Sequence, residues 1–97
     1  MKVFIIGSVG ESENNIALVA GEFRNLGCDV RYVYKQEKPF AKLVDAAFAI
    51  IDSWADVVVV VPKTITYTSA VKVGEGTTYE IEYAKKCGKP VLVYTNV

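Results

Sequence analysis

Four apolar runs punctuate the chain, and a stretch of helical periodicity separates each from the next. Val3-Phe4-Ile5-Ile6 is continuously apolar and stops at Gly7, the pattern of a strand buried on both faces. Ile16, Val19, Ala20, Phe23 and Leu26 then recur at helical spacing, predicting a helix that Ser12 caps and Gly27 ends. From Asp29 to Tyr34, Val30, Tyr32 and Tyr34 alternate with Arg31 and Val33, a second strand nearer an edge. After the charged connection Lys35 to Pro39, a second helix starts at Phe40. It lines up Leu43, Val44, Ala47, Ile51 and Trp54 on one stripe, and Asp45, Phe48 and Asp52 on another face. Ala55-Asp56 leads into five successive valines, Val57 to Val61, closed by Pro62, which reads as a central parallel strand. Lys63 to Val73 is a Thr/Ser-rich loop longer than most connections, and such loops are often functional. A third helix from Thr77 stops at Gly88, before a last strand, Val91 to Tyr94.

The order βαβαβαβ, with helices as crossovers, predicts one α/β domain over residues 1–97. The expected architecture is a small doubly wound three-layer domain, Rossmann/flavodoxin-like, with a four-stranded parallel sheet in the order 2-1-3-4 and helices on both faces. Ligands of such sheets bind at the carboxyl ends of the strands, where the strand order switches. Here that crevice lies between the loop after strand one, Gly7 to Glu11, and the loop after strand three, Lys63 to Gly76.

Composition narrows the chemistry. Eleven basic residues balance eleven acidic ones, which leaves no positive field to recruit a nucleic acid polymer. Histidine is absent, so acid–base work falls to carboxylates, tyrosines or lysines. Cys28 and Cys87 form no CxxC and adjoin glycines at predicted helix ends; buried reduced thiols are expected, as in the cytoplasm, and no zinc site or other metal. The apolar N-terminal run is far too short for a signal peptide or membrane span, so no membrane association is expected.

Glu80 stands out. Thr77 reads as the N-cap of the third helix, with Glu80 three residues on, while Tyr83, Ala84 and Cys87 follow Glu80 at three, four and seven residues on the apolar stripe. Either Glu80 closes a capping box on Thr77, or it faces a ligand cleft at the mouth of the sheet. Gly7-Ser8-Val9-Gly10 before a helix either presents amides and a hydroxyl to a phosphate or is simply a tight βα turn. Lys63 either meets a phosphate or stands exposed at a strand end, and Tyr67 and Tyr79 either stack on a base or pack inside.

Gly76-Thr77-Thr78-Tyr79-Glu80-Ile81-Glu82-Tyr83-Ala84, followed by Gly88-Lys89-Pro90-Val91, resembles the hallmark of nucleoside 2-deoxyribosyltransferases and the related 2′-deoxynucleoside 5′-monophosphate N-hydrolases. With Val3 to Ser8 and Trp54-Ala55-Asp56-Val57-Val58-Val59 in the same order, the resemblance covers nearly the whole chain. It implies cleavage or transfer at the N-glycosidic bond of a (deoxy)nucleoside or its 5′-monophosphate, with no cofactor. Glu80 would serve as nucleophile or as stabiliser of an oxocarbenium-like transition state. By the same resemblance Gly7, Ser8 and Val9 hold the phosphate or sugar. Gly10, Lys63, Tyr67, Gly74, Gly76 and Thr77 complete the expected substrate site, and the protein is a homodimer whose clefts a neighbour completes.

The chain departs from that pattern at several positions. The family's helix aspartate aligns with Phe48, flanked one turn to either side by Asp45 and Asp52; each is either a shifted catalytic carboxylate or a solvated surface acid. The first-strand tyrosine is Phe4, the Asp or Ser six residues before the glutamate is Gly74, and Glu82 replaces a small glycine. A second expectation therefore stands beside the enzyme: a nucleotide-binding or protein-interaction module on the same fold, without catalysis.

Overall fold

The computed structural model describes residues 1–7, 13–32, 40–61 and 75–94. Its elements alternate as the apolar pattern dictates: β1 (Lys2–Gly7), α1 (Glu13–Asn25), β2 (Asp29–Tyr32), α2 (Phe40–Ser53), β3 (Val57–Val61), α3 (Glu75–Lys86) and β4 (Val91–Val93). All four strands pair in parallel in the order β2-β1-β3-β4, a small Rossmann/flavodoxin-like α/β sheet.

Because strand side chains alternate between faces, the two central strands supply two cores. Val3 and Ile5 join Val57, Val59 and Val61 on one face, where Ile16, Val19 and Ala20 of α1 cover them. Phe4, Ile6, Val58 and Val60 turn to the other face, against Ala47 and Ile51 of α2 and Ala84 of α3. All five valines of β3 are buried, as a strand with neighbours on both edges and helices on both faces requires. The start of β3 is tied to β1 through Asp56, whose amide donates to the Lys2 carbonyl at 2.8 Å and whose Oδ2 accepts from the Lys2 amide at 2.9 Å. Asp56 thus has a structural role in setting the register, which the sequence reading did not assign.

Gly27 and Gly88 end α1 and α3 with φ of 85° and 73°, and in each case the next amide reaches back five residues, Cys28 to Phe23 O and Lys89 to Ala84 O. Both cysteines are free thiols, half-buried rather than fully buried, because each sits just where a helix turns away from the sheet. Tyr94, directly after β4, donates its hydroxyl to the Glu22 carboxylate of α1 at 3.1 Å. The second strand is described as far as Tyr32; Val33 and Tyr34 lie outside the described residues, as does Ser12.

Candidate functional site

Gly7, the last residue of β1, pairs with Val61, the last of β3. The chain leaves these neighbours in opposite directions, toward β2 through α1 and toward β4 through α3, so their carboxyl ends form the switch point of the sheet. The site needs glycine for space. A Cβ on Gly7 would stand 2.8 Å from the Val61 carbonyl oxygen and 3.0 Å from Cδ1 of Ile16. Gly7→Ala is therefore expected to cost about 1–3 kcal/mol of stability through overpacking against backbone. Urea unfolding would measure it, and an unchanged midpoint would show that the β1–β3 end yields.

In a parallel sheet the helix after β3 runs back against the strand direction, so the first turns of α3 lie nearest the carboxyl ends. Ala84, fully buried, anchors the helix in the core. Glu80 and Thr77 precede it by four and seven residues, on the same stripe and progressively nearer the switch point. Thr77 is 3% exposed and Glu80 is half-buried. Burial raises the Glu80 carboxyl to a pKa of about 7, and among the described residues no cation offsets that burial.

The helix begins at Glu75, which corrects the expected start. Thr77 is the third helical residue and not the N-cap, so in place of a Thr77–Glu80 capping box the first turns of the helix carry a buried threonine and a half-buried glutamate. Gly76 lies in the first turn. Tyr79 is 49% exposed, which removes it from the core.

Helices α2 and α3 pack side by side on one face and, both returning from strand ends, run in the same direction. Phe48 stacks on Tyr83 with ring centroids 4.2 Å apart, and the Cys87 thiol lies 3.9 Å from Oδ1 of Asp52. Both pairs have the same offset in sequence, and that offset carries Asp45 level with Glu80. Asp52, level with Cys87, is two helical turns from Glu80, about 10 Å along the axis. The two exposed acids flanking Phe48 therefore differ: Asp45 is at the end of the seam that holds Glu80, and Asp52 at the other. Phe48, where the resembling family carries its second acid, is an aromatic packing residue of the seam.

Ser8, Val9, Gly10, Lys63, Tyr67 and Gly74 lie outside the described residues. Among those described, no group of three or more acidic or thiol side chains is placed to hold a metal ion, and no helix is long and apolar enough to cross a membrane. Comparison of the chain with protein-family models and with curated proteins gave no match.

Proposed function

We propose that the protein cleaves or transfers at the N-glycosidic bond of a (deoxy)nucleoside or its 5′-monophosphate, with the substrate at the carboxyl ends of β1 and β3 and Glu80 against the anomeric carbon. One observation carries this reading: a half-buried carboxyl, raised to about 7 by burial alone, on the stripe of α3 that leads to the switch point. Its carboxylate has lost part of its hydration, and an oxocarbenium-like sugar placed beside it supplies the compensating charge. The carboxylate oxygen bonds to C1′ as the C1′–N bond breaks, its electron pair leaving with the base, which takes up a proton. Water or a second base then releases the sugar from the glutamyl ester.

Gly7 and Thr77, with Ser8, Val9, Gly10, Lys63, Tyr67, Gly74 and Gly76 from the adjoining segments, form the substrate side of this proposal. Asp45 is the better placed second acid, because the helix register brings it level with Glu80. The proposed enzyme needs no metal or organic cofactor, works as a homodimer and resides in the cytoplasm. A second reading, a nucleotide-binding module without catalysis, is favoured by one feature: Phe48, stacked on Tyr83, stands in place of the family's acid.

Chromatography of a panel of ribo- and deoxynucleosides and their 5′-monophosphates separates the two. The wild type is expected to release free base, at a rate that rises with pH through about 7 as Glu80 ionises. Glu80→Gln is expected to lose at least about a hundredfold of that rate. No release from any member, with nucleotides still raising the melting temperature, would establish the binding module instead.

A further inference from the structure

Among the described residues the two edges of the sheet are β2 and β4, and they differ in kind. β4 exposes Leu92 and Val93 with no charge to select a partner. β2 carries a charge on each side of its central valine, Asp29-Val30-Arg31. Asp29 pairs with Lys2 and Arg31 with Phe4, so both point to the face that α2 covers, while Val30 packs against the α1 side. The Asp29 amide donates to the Met1 carbonyl, which turns Asp29 toward β1 and the backbone of Val30 toward the open edge. An Arg24 Nη2 contact with the Val30 carbonyl, at 3.5 Å, confirms that this oxygen faces outward. Beside the edge runs an open groove of about 470 Å³ lined by Arg24, Cys28, Asp29, Val30, Arg31 and Trp54. Trp54 forms its wall on the α2 side, with the Arg31 guanidinium 4.4 Å from its ring centroid.

We infer that β2 is the contact through which two copies of this chain associate, antiparallel and edge to edge, into one continuous sheet. A twofold axis through Val30 lets each Val30 amide donate to the Val30 carbonyl of the second copy. The same axis sets Asp29 of each copy opposite Arg31 of the other, twice and on the same face, so opposite charges meet directly. Charged residues on an edge ordinarily discourage pairing with other chains. Here their order is its own complement under the twofold, so they admit this chain in one register and reject a slip by two residues, which would oppose like charges. The groove gives the meeting side chains room, and the weak Arg24 contact is what the second copy's amide displaces. The surface stands on these observations alone and holds whether or not Glu80 is catalytic.

Charge reversal tests it. In sedimentation equilibrium the full-length wild type is expected to dimerise, and Asp29→Arg and Arg31→Asp each to weaken the dimer about tenfold or more, since each opposes like charges twice. Mixing the two single variants is expected to restore a heterodimer, because each then presents only one sign to the other. Val30→Pro, which removes the outward amide and leaves the β1 pairing intact, is expected to abolish association. A monomeric wild type would overturn the assignment. So would a dimer indifferent to both reversals, which would place the contact elsewhere, for instance on β4.

Discussion

Glu80→Gln is expected to make the protein more stable, and only above acid pH. Burial raises the Glu80 carboxyl from its ordinary 4.5 to about 7, so the folded state holds a proton that the unfolded chain has already released. Below 4.5 both states are protonated and Glu80 imposes no cost. Between 4.5 and 7 the unfolded chain binds fewer protons than the folded one, and stability falls as pH rises, by about 1.4 kcal/mol per pH unit at most. Above 7 the folded protein carries the buried charge and the full penalty, about 3 kcal/mol, stays in place. The amide has no charge to bury. Urea unfolding of wild type and variant across this range should give curves that coincide in acid and diverge by about 2–3 kcal/mol at mildly alkaline pH. Parallel curves would mean that Glu80 is hydrated in the folded state, and would remove the observation on which the proposed chemistry rests. The experiment also protects the activity test: a variant that is more stable and yet inactive has not lost its rate by unfolding.

Phe4→Ala is expected to be the most damaging single substitution of the core, costing about 3–5 kcal/mol. Phe4 is 1% exposed, lies in the middle of β1 between Arg31 and Val58, and packs in the cluster shared by Ile51 of α2 and Ala84 of α3. Truncation leaves a cavity under both helices at once, where the sheet backbone, hydrogen-bonded on both sides, has little freedom to collapse into it. Small domains are stable by about 5–15 kcal/mol in total, so the variant is expected to melt well over 10 °C lower and to expose α3 to local opening. A shift of only a few degrees in a thermal melt would show that the α2–α3 layer repacks freely. The position that a tyrosine fills in the resembling family is thus a structural one here: Phe4 supports the seat of the helix bearing Glu80.

How much of this was legible beforehand depends on the range of the interaction involved. The five valines and the Val3–Ile6 run, with a helical repeat on either side, imply a parallel sheet almost unaided. Continuous apolar strands need cover on both faces, and right-handed crossovers then leave few strand orders. The 2-1-3-4 order and both helix-ending glycines followed from such local rules, and the structure has them. The start of α3 did not follow, because a threonine before a glutamate serves equally well as a cap or as a buried polar residue inside the first turn. Only the burial of Thr77 within the first turn distinguishes the two.

By itself, then, the sequence determined the element order, the two alternating faces of the core and the presence of Glu80 on the apolar stripe of its helix, since periodicity and glycine stops act over a few residues. Tertiary structure alone decided that Glu80 is desolvated with no compensating cation among the described residues, and that Asp45 and not Asp52 is level with it. Each of these depends on how elements distant in the chain are set beside one another, a matter of helix register and strand pairing that no local pattern encodes.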